Sequence, residues 1–100
     1  MYELDCKIKE FGALFFDRMD TEMLQDAIRY VEHGERGLAF ETICDHISEY
    51  DIPITEEEYA RALSLCNDLE LDFNDISIVH MKSLISKQTM IRSIHLFGIT

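Results

Sequence analysis

Proline and glycine are scarce in this chain, at one and four in 100 residues, which leaves little material for long loops. No Ser- or Gly-rich tract, low-complexity run or internal repeat occurs, so a linker between two units is excluded. The residues 1–100 make one domain, and the short connections favour helices. The cysteines are few, odd in number and far apart: Cys6, Cys44 and Cys66. No C-x-x-C pair is present, which argues against a zinc site, and the expectation is three reduced thiols in apolar surroundings. No apolar run approaches the roughly 20 residues that a bilayer span needs. The start, Met1-Tyr2-Glu3-Leu4-Asp5, lacks a basic stretch followed by an apolar one, so no secretory signal and a cytoplasmic location are expected.

Chemistry-bearing patterns are equally sparse. The four histidines, His33, His46, His80 and His95, form no H-x-x-x-H or H-E-x-x-H pair. There is no Gly-rich phosphate loop, and the acidic stretch from Asp68 to Asp75 lacks the glycine of a calcium-binding EF-hand loop. Carboxylate pairs lie on helix faces that look exposed, without the buried pocket that acid–base chemistry uses. The expectation is a protein that is not an enzyme and needs no cofactor or metal.

What the chain does have is acid. Twenty Asp and Glu oppose nine Lys and Arg, a formal charge of −11. All twenty acids and six of the basic residues fall in 1–75, a net of −14. Residues 76–100 carry Lys82, Lys87 and Arg92 with no acid, a net of +3. Folding does not require such an excess, and it weakens a compact state through self-repulsion. It disfavours direct nucleic-acid binding, because a phosphate backbone needs a basic patch. A strongly positive protein partner suits it better.

With 47% apolar residues the chain can still bury a core. Leu4, Ile8, Phe11 and Phe15 recur at helical spacing and predict a first helix over 3–18. Asp20 or Thr21 can cap a second helix with Leu24, Ala27, Ile28 and Val31 inward, ended by Gly34. A third carries Ala39, Phe40, Ile43, Cys44, Ile47 and Tyr50 as its buried face, and Pro53 blocks its continuation. Thr55 and Glu58 form a capping box for the fourth helix, stapled by Ile54 and Tyr59, with Ala62, Leu63, Cys66 and Leu69 continuing the stripe. Asn74 caps a fifth, with Ile76, Val79, His80 and Leu84 inward. Residues 89–99 fit neither the helical nor the strand period. The predicted architecture is an all-α compact bundle of four to five short helices.

The acids of the third helix stand out. Glu41, Asp45 and Glu49 are spaced i, i+4, i+8 and stack on one face, opposite Ile43 and Ile47. Each like-charged i, i+4 pair costs a helix about 0.2–0.5 kcal/mol. No Lys or Arg between Asp45 and Glu58 offsets them, and Asp51, Glu56 and Glu57 extend the negative surface. These six acids are the candidate partner contact, with Tyr50 a candidate aromatic anchor if it lies outside the core. A second acidic group, Asp68, Glu70, Asp72 and Asp75, precedes the fifth helix and suits its positive end.

The run from His33-Gly34-Glu35 through Leu38-Ala39, Glu41 and Ile43-Cys44-Asp45 into Glu49-Tyr50-Asp51-Ile52-Pro53-Ile54-Thr55 with Glu57, Glu58 and Tyr59 resembles the MafI-type immunity proteins. These are encoded beside the toxins of contact-dependent growth inhibition and related polymorphic toxin systems. The resemblance covers residues 21–72. It implies a small helical cytosolic protein that binds and blocks the C-terminal domain of one cognate toxin, commonly a nuclease acting on RNA, tRNA included. It implies no catalytic residue. A different class, a helical adaptor or regulatory subunit that pairs with a second copy of itself, is motivated by the apolar residues Ile91, Ile94, Leu96, Phe97 and Ile99.

Overall fold

The computed structural model describes residues 2–72 and 74–86, which form five α-helices. They are α1 (Tyr2–Ala13), α2 (Thr21–Glu32), α3 (Arg36–Glu49), α4 (Glu56–Asp68) and α5 (Ile76–Ser83). The fold is all-α, as the sequence predicts. Among the described residues the one extended pairing is an isolated parallel bridge between Ile54 and Ile85. The expectation for residues 89–99, and the apolar positions within them, lie outside the described residues.

Helix α3 occupies the centre and packs against α1, α2 and α5. Its inward residues Ala39, Phe40, Ile43, Cys44 and Ile47 are all buried. Phe40 meets Phe11 of α1 at 5.6 Å between ring centroids, and Phe11 stands edge-on to Phe15 at 5.2 Å. Such aromatic pairs add about 0.5–1.5 kcal/mol beyond the area they bury. Gly12 lets α1 come close to α3, since a β-carbon there would stand 3.2 Å from the Ile43 Cδ1. From α4, Ala62, Leu65 and Cys66 close the core, while Leu63 and Leu69 are half-buried at its edge. In α2, Leu24, Ala27 and Val31 are buried and Ile28 stands at the exposed margin of the stripe.

Three helices end in the same way. At the ends of α2, α3 and α4 a residue in the left-handed region lets the next amide reach back into the last turn. Glu35 N–H donates to Tyr30 O, Ile52 N–H to Ile47 O and Leu71 N–H to Cys66 O, at 2.8, 3.0 and 2.9 Å. These bonds satisfy carbonyls that the helix itself leaves unpaired. The left-handed residue is Gly34 in the first case, where the conformation is unstrained, but Asp51 and Glu70 in the others. The capping box starts α4 as expected, with Glu58 N–H donating to the Thr55 hydroxyl and Thr55 N–H to the Glu58 carboxylate. Thus the segment Glu49–Thr55 is a helix stop, an extended residue at Ile54, and a helix start. Ile54 N–H donates to Leu84 O at 3.1 Å and Ser86 N–H to Ile54 O at 2.7 Å, tying this turn to the chain leaving α5.

Two expectations need correction. The first helix stops at Ala13, not residue 18, and residues 14–18 form tighter turns such as Phe15 N–H to Gly12 O. The cause is Arg18, which reaches across to α4. Its guanidinium donates to both Glu58 oxygens, at 3.0 and 2.6 Å, and also to Pro53 O and Leu14 O. It also lies over the Phe15 ring at 4.6 Å. Four acceptors spread over three segments fix this connection in a shape that a continuing helix could not supply.

The second correction concerns α5. Asp75, not Asn74, caps it, accepting from Ser77 N–H at 2.9 Å. Its buried residues are Ile78 and Met81, whereas Ile76 is 85% exposed and Val79 is exposed. The stretch Ile76–Ser83 has apolar residues on two faces, so periodicity cannot choose between them. Polar contacts choose. Ser77 donates its hydroxyl to Asp45, and His80 Nε2 meets the Asp51 carboxylate at 2.7 Å, which turns Ile78 and Met81 inward.

Candidate protein-interaction surface

Helix α3 displays Glu41, Asp45 and Glu49 in a row, all exposed, and its cap Tyr50 follows. Tyr50 is 63% exposed and is not core, contrary to its place in the expected buried face. Its ring instead packs against His46, with centroids 4.5 Å apart and the planes tilted by 45°. Asp51, Glu56 and Glu57 are exposed on the following turn and the first turn of α4. Glu56 and Glu57 sit where the positive end of α4 offsets part of their mutual repulsion. The fold therefore gathers the seven candidate residues along α3 and around its exit.

They are not equivalent. Asp45 and Asp51 are engaged by Ser77 and His80 and hold α5 in place, so the row is not wholly turned to solvent. Glu41, Glu49, Glu56 and Glu57 make no ion pair with a described residue. The second acidic group also meets the first, which spacing did not reveal. Asp72 and Asp75 join Glu41 and Asp45 around a cleft of about 70 Å³ whose floor includes Phe40, Cys44 and Cys66. Among the described residues no group of three or more His, Cys, Asp or Glu is placed to hold a metal ion.

The thiols beneath that cleft are poorly suited to nucleophilic work. Burial pushes the Cys44 thiol well up, and the charges of Asp45, Asp75 and Glu41 add to it. Burial raises Cys66 in the same way, with Asp72 and Asp75 contributing. A thiol held protonated is a weak nucleophile. Cys6 is half-buried, and all three are free thiols.

Three arginines are committed to structure. Arg18 is paired with Glu58, and Arg36 Nε donates to Asp5 at 2.7 Å, tying the start of α3 to α1. That hydrogen bond from Arg36 holds the Asp5 carboxyl below its ordinary value. Arg29 meets Asp26 at 3.2 Å within α2. Beyond Arg36 the sequence places no Lys or Arg on α3, nor on α4 before Arg61. His33, which caps α2, uses Nδ1 toward Arg29 O at 2.8 Å and serves that helix end.

One apolar feature borders the acids. Ile76 and Val79 project from the face of α5 one step around from Ser77 and His80, so the side chains that reach Asp45 and Asp51 lie along its flank. An exposed apolar ridge beside charged groups has the anatomy of an interaction surface, with the apolar centre drier than its polar rim. Sequence periodicity missed it by placing both residues inside.

No protein-family model matches this chain, and none of the curated proteins or solved structures searched matches it. No helix among the described residues is long and apolar enough to cross a membrane.

Proposed function

We propose that this protein is an immunity protein that acts in the cytoplasm by binding a cognate toxin domain, a basic nuclease that cleaves RNA, and that it performs no catalysis of its own. The observation that carries the reading is the acidic surface of α3 and the α4 start, where Glu41, Glu49, Glu56 and Glu57 make no ion pair with a described residue. The resemblance of residues 21–72 to the MafI-type family supports the toxin as the partner. A nuclease needs a positive groove for its substrate, and an acidic protein can occupy that groove in the substrate's place. Opposite charge also raises association above the 10⁵–10⁶ M⁻¹s⁻¹ of uncharged partners, which matters when a toxin arrives active.

The second reading, an adaptor that pairs with its own copy, is favoured by the exposed Ile76 and Val79. One experiment separates the two. The chain is run on a sizing column alone, and then with the toxin domain encoded directly upstream, carrying an inactivating substitution. The immunity reading predicts a one-to-one complex that resists washing at low salt and weakens as salt rises. A dimer alone that ignores the toxin domain would favour the adaptor.

A further inference from the structure

An open groove of about 480 Å³ lies where the α1–α2 connection meets the exit of α3. Asp20 and Asp51 stand on its walls, with Pro53 beside them and Tyr50 at its mouth. Tyr50 offers an exposed ring, against which the His46 ring is tilted at 45°. His46 is only 8% exposed, a polar side chain almost wholly inside the protein. Its ring nitrogens make no hydrogen bond with a described residue, yet among the described residues no side-chain nitrogen or oxygen is both fully buried and unpaired. The ring nitrogens of His46 are therefore not fully enclosed, and the side chain lines the groove. Arg18 also borders this space, but its charge is matched by the paired contact with Glu58.

We infer that this groove receives an arginine side chain from the protein's basic partner. The inference rests on the proposed toxin-binding role and names the pocket that role would use. A guanidinium is planar and weakly hydrated, so it can lie on the exposed ring of Tyr50 while its N–H groups point at carboxylates. Asp20 accepts one backbone bond, from Glu22 N–H, and keeps a second oxygen for a ligand. Asp51 has one oxygen on His80, and its second makes no hydrogen bond with a described residue. The His46 side chain adds a further hydrogen-bonding group to the lining. Lysine could use the carboxylates but not the stacked, multidentate geometry, so the groove prefers arginine.

The test needs no toxin. The full chain, isotope-labelled, is titrated with the blocked tripeptide Gly-Arg-Gly and, separately, with its Lys and all-Gly counterparts, and amide shifts are followed by NMR. Saturable shifts are expected at His46, Tyr50, Asp51 and Ile52 with the Arg peptide, weaker with Lys and absent with Gly. Tyr50→Ala removes an exposed ring and leaves the core intact; it should weaken Arg binding about two- to fivefold. Asp20→Ser removes the charge while keeping a residue able to cap α2, and should weaken it as well. Shifts spread equally over Glu41, Glu56 and Glu57, or binding unchanged in both variants, would overturn the groove. A toxin complex that survives alongside that negative result would leave the immunity reading standing. Arginine binding without any toxin complex would do the reverse.

Discussion

Replacing Arg18 with methionine is expected to destabilise the fold by about 3 kcal/mol, because it leaves the largely buried Glu58 carboxylate without its cation. For a domain of this size that loss lowers the melting temperature by on the order of 10–20 °C. The side chain joins parts of the chain that no helix joins: the turn after α1, Pro53 and the start of α4. Burial pushes the Glu58 carboxyl up, but hydrogen bonds from Arg18 and Thr55 outweigh it and hold the group below its ordinary value. Folded Glu58 therefore binds its proton more weakly than unfolded Glu58. Its contribution is complete above the unfolded carboxyl range, about pH 4.3, and disappears as pH falls through the folded value. Denaturation followed by circular dichroism between pH 3 and 7 should show a gap between wild type and R18M that narrows toward acid. A constant gap would mean that Arg18 acts by packing alone.

Charge reversal of the acids that make no ion pair with a described residue should have the largest effect on binding. Glu41, Glu49, Glu56 and Glu57 are exposed, so changing all four to lysine takes the formal charge from −11 to −3 without touching the core. Asp45 and Asp51 are left in place because they hold α5 through Ser77 and His80. Stopped-flow association with the toxin domain at low salt is expected to slow about 10- to 100-fold, with a flatter dependence on ionic strength. Dissociation should change less, since rim charges act mainly on encounter. Unchanged association in a folded variant would remove this face from the interface.

Local rules carried much of the fold. Thr55, Glu58 and Pro53 mark a helix stop and start within a few residues, and each acts on its neighbours, so the sequence alone suffices there. The inward face of α3 was legible for a similar reason, because Ala39, Phe40, Ile43, Cys44 and Ile47 keep one period over about two turns. Two of the departures involve contacts distant in sequence. Arg18 ends α1 early by binding Glu58, 40 residues away. Asp45 and Asp51 decide which face of α5 is buried, 32 and 29 residues from their partners. Tyr50 fits the α3 stripe by spacing, yet it falls where the helix ends and the chain turns, and so comes out to the surface. The acids of the candidate surface were visible as a row on α3. Their meeting with Asp72 and Asp75, and the groove behind Tyr50, required the packing of helices that share no local pattern.

The most direct test is growth of bacteria expressing the proposed cognate toxin domain, with and without this chain. The account predicts arrest with the toxin alone, full growth when the wild-type chain is present, and reduced protection from the four-lysine variant at matched expression. Arrest that the wild-type chain does not relieve would contradict it.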